Sequence, residues 1–335
     1  MSETFVTCRR AAEIPADWDR FCEQTQGSIF LRREALALLE ETNPGERRYF
    51  LALSDAMPCG IAVAYRIGLN PLMYLGRWAR LRLWIVGVPC SVSVAGYRTD
   101  STCEKALLNE LRNVLGFFLL LNLSRPIPGM RAATTLPEVR LSIDSRSFCE
   151  YWDSLRSSYR RWLRTAMVRT NELRVEVCSP TVGLSEEIYG LYRSVYERSP
   201  YKLECQSAEF FARFPGKLIL LRRGDDCCAF ALLACEGSTL SFVFCGFERE
   251  RGAVWVYVRL LAEIVRFGIE QGFRAIRFGQ TAEDTKLRFG GRCEPRYMQV
   301  GCKWPWLEAV CGVALRGLSY HSKTGRRSVF RKAHT

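Results

Sequence analysis

A single lysine, Lys286, stands in the stretch Cys245–Gly291, in a short helical segment just past what reads as the end of a strand. In α/β sheets ligands collect outside the carboxyl ends of strands, so a lone lysine there is a candidate ligand contact. Its plain alternative is a surface lysine paired with a nearby acid. Thr281 followed three residues later by Asp284 reads as a capping-box start, and Gly290-Gly291 as a stop. Glu283 is then the carboxylate left over for proton transfer, and Tyr257 is a second group that can carry a proton. Histidine is nearly missing: His321 and His334 both lie in a basic tail. Ser-His-Asp and Cys-His arrangements need an imidazole inside the folded body, so any base must be a carboxylate, a tyrosine, the substrate or water. The 15 cysteines include no CxxC pair, which argues against a metal site or a redox motif. Reduced, mostly buried thiols in a cytoplasmic protein are expected.

The elements that must position these residues show as hydrophobic periodicities. Val254, Val258, Leu261, Val265 and Ile269 recur at three and four, which predicts a helix stopped by Gly272. Phe273–Phe278 alternates as a strand. Upstream, Phe148, Trp152, Leu155, Tyr159, Trp162 and Ala166 predict one helix over 148–171. Arg156, Arg160 and Arg164 would share a second face of it. That face suits a phosphorylated substrate, or equally a solvated surface. Tyr192 and Tyr196 form an i, i+4 pair on a helix over 186–197, where packing and substrate contact are both open readings. Three strands follow, Lys217–Leu221, Ala229–Cys235 and Leu240–Cys245, and Arg296–Val300 reads as the last strand.

The first 145 residues repeat this order. They read as a strand, helices near Trp18 and over 32–41, and a hairpin of Tyr49–Leu53 and Ile61–Ile67 with Pro58 and Gly60 in its turn. A further strand, a helix over 104–117 with Val114 inward, and the strand Leu119–Leu123 complete the series. Pro126, Pro128, Gly129 and Pro137 predict a linker over 124–145. The expected fold is mixed α/β with two similar domains, 1–145 and 146–303, followed by a basic helix and tail, 304–335. Of the 335 residues, 48% are apolar, so a packed globular chain is expected. The formal charge of +13 points to an anionic partner, or to arginine spread over a solvated surface. No signal peptide is expected, and the longest apolar run, Val114–Leu121, is too short to span a bilayer. Trp304, Trp306 and Leu307 precede a tail without acids, for which membrane-surface contact, RNA contact and a frayed end are alternatives.

Four segments, SLRSSYRRWLRTA (154–166), IYGLYRSVYERSPYKLE (188–204), GFRAIRFGQTAEDTKLRFGG (272–291) and PRYM (295–298), resemble the GNAT acyltransferase superfamily. The branch they resemble is the Fem-like one, also found in cellulose-biosynthesis accessory proteins. The resemblance implies tandem GNAT-like domains, the first degenerate. It implies transfer of an acyl group from an acyl-CoA co-substrate to an amine, with no permanently bound cofactor. The GNAT diphosphate loop at a helix N-terminus falls on Arg249-Glu250-Arg251-Gly252-Ala253-Val254. Arg249, Arg251, Gly252 and Gln280 are thereby implied in donor binding, although Val254 departs from the loop pattern. Lys286 would meet a phosphate or an oxyanion, Glu283 would act as base, and Tyr257 would protonate the leaving group. Arg160, Arg164, Tyr192 and Tyr196 would bind the acceptor, an envelope precursor being one class. The alternatives are an aminoacyl-tRNA donor, as in Fem-type enzymes, and a non-catalytic accessory protein. The site expected is cytoplasmic, with peripheral membrane contact through the basic tail.

Overall fold

The computed structural model describes residues 3–69, 81–90, 92–200, 204–248, 252–322, 325 and 327–331. These form two compact units: residues 1–136 with 295–321, and residues 137–294 with 322–335. The sequence reading puts the division at 145/146 and keeps 295–303 with the second half.

In the first unit the chain runs through β1 (Glu3–Cys8), α1 (Asp17–Gln24), α2 (Arg33–Thr42), β2 (Arg47–Ser54) and β3 (Met57–Leu69). It continues through β4 (Leu81–Val86), β5 (Tyr97–Thr99), α3 (Glu104–Leu115), β6 (Phe117–Leu123) and the start of β7 (Ala132–Ser142). Trp18, Phe21 and Cys22 are buried on α1, as their spacing predicts. The β2–β3 turn is made by Asp55 and Ala56, at φ +47° and +66°. Two left-handed residues match the twist of a tight hairpin. Pro58 and Gly60 belong to the strand that follows, so the turn predicted there lies a few residues upstream. Val114, predicted inward, is exposed on α3. Cys59 and Cys103 are joined in a disulfide with Cα atoms 6.0 Å apart, which corrects the expectation of reduced thiols for this pair.

The second unit contains the rest of β7, α4 (Phe148–Ser154), α5 (Ser157–Arg169), β8 (Arg174–Cys178), α6 (Pro180–Gly183), α7 (Glu186–Arg198) and α8 (Ala208–Arg213). Then come β9 (Lys217–Arg223), β10 (Asp226–Glu236), β11 (Thr239–Phe247), α9 (Ala253–Glu270), β12 (Ala275–Gly279) and α10 (Glu283–Leu287). The chain returns to the first unit through β13 (Arg292–Cys302) and α11 (Pro305–Gly317).

The two units repeat one topology. In the first, strands lie in the order β1-β2-β3-β4-β6-β13; in the second, β8-β9-β10-β11-β12-β7. Each series is antiparallel except for its fourth and fifth strands, β4 with β6 and β11 with β12, which are parallel. A parallel pair needs a crossover, and α3 and α9 supply it. The sixth strands are exchanged: β7 follows β6 in sequence but pairs with β12, and β13 follows β12 but pairs with β6.

Two predicted elements are corrected by these pairings. The linker predicted over 124–145 contains β7, whose Val139 and Leu141 are buried while Arg140 and Ser142 are exposed. That period of two outweighs the prolines. The single helix predicted over 148–171 is two helices. Leu155 and Arg156 are extended between them, where Leu155 bridges Phe330 and the Arg156 amide donates to Val329 at 2.9 Å. The tail around Val329 is thus buried against the second unit rather than frayed.

The core of the second unit forms around α9, where Val258, Leu261, Val265 and Ile269 are buried as predicted, while Val254 is exposed in the first turn. In the first unit the return strand is fixed by Gln299, fully buried on β13. It accepts from the Ile127 amide at 2.8 Å and donates to the Ile127 and Met130 carbonyls at 3.1 and 3.0 Å. Gln299→Leu would remove a partner from the Ile127 amide, the Ile127 carbonyl and the Met130 carbonyl, and should destabilise by on the order of 2 kcal/mol in urea unfolding. A loss below about 0.5 kcal/mol would show that the glutamine does not hold β13 in place.

Candidate active site

The second unit brings Lys286, Tyr257, Phe242, Cys245 and the Gln280 carbonyl together, from β11, α9, the β12–α10 turn and α10. The parallel ladder between β11 and β12 is confined to Thr239–Ser241 against Ala275–Arg277. Beyond it β11 runs on to Phe247 without a β12 partner among the described residues, so a wedge opens between two parallel strands. On its other edge β11 pairs Phe244 with Leu232 and Phe242 with Leu233, so Val243 is an extra residue. A bulge of one residue inverts the alternation of side chains. Phe242 and Cys245 therefore share a face, and Phe244 takes the opposite one.

Lys286 lies on the Phe242 and Cys245 face. Only 2% of it is exposed. Its ammonium donates to the Gln280 carbonyl at 2.6 Å and sits 5.8 Å from the Phe242 ring centroid. Burial pulls its pKa down to about 8, opposed by Cys245, Glu138 and Glu283. A neutral-pH population that is mostly ammonium, yet close to neutral, results. The carbonyl is aimed by an unusual turn: Gly279, Thr281 and Ala282 have φ of +69°, +63° and +47°. Thr281 is β-branched, and that conformation costs on the order of 1–2 kcal/mol for a residue with a side chain. The predicted capping box does not form. Ala282 is the N-cap and makes no side-chain cap. Asp284 pairs instead with Arg288 at 3.2 Å and with Arg327 of the tail.

The other predicted residues divide into three groups. Tyr257 is half-buried on α9, stacked 5.3 Å from Phe247, and burial holds its phenol well above its ordinary range. It stays protonated at any physiological pH. Glu283 is buried and accepts from Ser322 at 2.7 Å, with the Cys293 thiol 3.9 Å from the same oxygen. Cys245 was not singled out in sequence. Its thiol is pushed up to about 11 by burial and pulled down by Lys286, so it stays uncharged and shields the amine. Its position just before the loop was the one available signal. Glu138 was missed too: it is 1% exposed on β7, accepts from Arg277 at 2.7 Å and adds negative potential at Lys286.

Gly252 is the N-cap of α9 at φ +107°, a conformation that calls for glycine. Arg249 and Arg251 lie outside the described residues. Arg160 pairs with Asp153 at 3.6 Å, and Arg164 is exposed on α5. Arg156 precedes that helix, so the predicted three-arginine stripe loses its first member. Tyr192 is buried, accepts from the Gln206 amide at 3.0 Å and packs on Phe211, Phe244 and Tyr196. The pair thus lies on the Phe244 side of β11, opposite Lys286.

A family model described as an acetyltransferase (GNAT) domain matches residues 130–287. Residues 130–287 are a GNAT-type acyltransferase domain. The matched span takes in β7, the β11–α9–β12 crossover and Lys286. No curated protein sequence matches the chain. Among solved structures, the chain is similar to FemX, with 12% identity and a TM-score of 0.57 over 92% of this chain and 100% of that one. L-PGS from Bacillus licheniformis gives 13% and 0.56 over 92% and 98%. A tandem GNAT protein from the clavulanic acid biosynthesis pathway gives 10% and 0.51 over 91% and 99%. At these identities the likeness is one of fold: two GNAT-like units in tandem.

Two measurements check this site. A base whose folded pKa is lowered destabilises the fold while it must stay charged, so stability recovers as pH rises through the folded pKa toward the unfolded one. Relative to Lys286→Met, the wild-type chain should gain up to about 3 kcal/mol of unfolding free energy between pH 8 and 10.5. A pH-independent difference would mean that the amine is not desolvated. Ala282→Gly should raise stability by about 1 kcal/mol by relieving the left-handed turn; a loss of stability would show that the turn is unstrained.

Proposed function

We propose that the chain is an N-acyltransferase that moves an acyl group from a CoA-type thioester to an amine, with the second unit as its catalytic half. The observation that carries this reading is the buried, near-neutral lysine beside the open edge of a parallel strand pair. An extended donor arm with amide groups can pair with the β11 edge beyond Ser241, as strand addition requires. The start of α9 at Gly252 would then take the diphosphate on its amides, with Arg249 and Arg251 as flanking cations. The amine nitrogen attacks the carbonyl carbon and a C–N bond forms while charge develops on oxygen. Lys286 is the cation to meet that charge. Glu283 takes the proton of the attacking amine. The C–S bond then breaks, and the sulfur leaves with a proton from Tyr257, whose raised pKa keeps that proton in place until the thiolate forms. Arg160 and Arg164 on α5 are candidates for an anionic acceptor, an envelope precursor among them. Tyr192 and Tyr196 are better read as packing.

A second reading has one observation in its favour. Arg156, Arg161, Arg164 and Arg169 are all exposed in and beside α5, a basic surface suited to an aminoacyl-tRNA donor whose ester would meet the same lysine. Titration with a CoA thioester and with charged tRNA, at low and high salt, separates the two. Thioester binding is expected; salt-sensitive tRNA binding with no thioester binding would replace the first reading by the second. With the competent donor, Lys286→Ala should lower kcat on the order of a hundredfold while the circular dichroism stays unchanged. An unchanged kcat would remove Lys286 from the chemistry.

A further inference from the structure

We propose that the outer face of α11 is a docking surface for an anionic lipid bilayer. Trp304, Trp306, Val310, Val313 and Leu318 are 54, 68, 60, 55 and 70% exposed. Trp306, Val310, Val313 and Gly317 follow each other at four, three and four residues, so they form one stripe along the helix. The opposite side packs into the first unit through Gly312 and Leu315. A Cβ at Gly312 would lie 3.0 Å from the Arg131 side chain, so that side is seated closely.

The charges sort in the same sense. Glu308 is the one acid of the helix, and it is turned inward. It accepts from Arg112 at 2.9 and 3.0 Å and from the Cys302 amide at 2.9 Å. The outer face is left without a carboxylate, and Lys303 and Arg316 stand exposed at its two ends. Arg131, also exposed, donates to the Ala309 carbonyl. Two indoles, an aliphatic row and cations at both ends match an interfacial helix, with rings at headgroup level and cations on lipid phosphates. No helix of the described residues is long and apolar enough to cross a membrane, so α11 would lie in the interface. A second copy of the chain fits less well, because antiparallel pairing of two stripes would set Lys303 against Arg316. RNA fits less well because, past the two indoles, the row of Val310, Val313 and Leu318 offers a base neither stacking nor hydrogen bonds. The inference does not rest on which acyl donor is used.

The test uses the full chain in flotation assays with phosphatidylcholine vesicles, with and without phosphatidylglycerol, at low and high salt. Binding should require the anionic lipid and weaken with salt. Val310→Glu with Val313→Glu should reduce it by about tenfold or more, with the thermal melt unchanged since both side chains are exposed. Lys303→Gln should reduce it by roughly fivefold. Failure of the wild-type chain to bind anionic vesicles overturns the proposal, as does binding that the double variant leaves intact. It is equally overturned if the double variant abolishes only self-association or only retention of single-stranded RNA, with no vesicle binding by the wild type.

Discussion

A cation taken out of water must be given something in return, and Lys286 receives little. Its ammonium donates one short hydrogen bond to the Gln280 carbonyl, meets an aromatic face at Phe242, and feels negative potential from Glu138 and Glu283. Left-handed residues on both sides of Gln280 form the turn that carries this carbonyl back toward the helix it precedes. Strain in the turn and desolvation of the amine are two separate costs that fall in the same place. The surrounding fold over-determines both: α10 is tied to the tail through Asp284 and Arg327, and Glu283 to Ser322.

What the lysine faces is set by β11. A regular strand would place Phe242 and Phe244 on one side. The extra residue at Val243 separates them, giving Phe242 and Cys245 to the lysine and Phe244 to the tyrosine cluster on α7. The same strand loses its parallel partner after Ser241, so its backbone edge opens where the lysine stands. Bulge and wedge are consecutive features of one strand, and the buried amine of α10 stands beside them.

Much of this was legible in the sequence where signals are local. The crossover helix showed in the spacing of Val258, Leu261, Val265 and Ile269, and the repeat of the two halves in their matching element order. Lys286 stood out as a lone lysine past a strand end. Its burial did not, since a lysine next to Glu283 and Asp284 reads as an exposed partner of acids. What failed depended on contacts between distant residues. The break at Leu155–Arg156 follows from pairing with the tail at Val329 and Phe330, more than 170 residues away. The exchange of β7 and β13 cannot be seen in either strand alone. Cys245 and Glu138 gain their importance only from what the fold sets beside them, and a one-residue bulge at Val243 leaves no compositional mark.

The most direct measurement is the side-chain pKa of Lys286 by heteronuclear NMR, in the free chain and with a CoA thioester bound. A value near 8 in the free chain, rising when the anionic donor binds, is predicted. Titration at the ordinary lysine value, unmoved by the thioester, would contradict a desolvated cation poised at the reacting carbonyl.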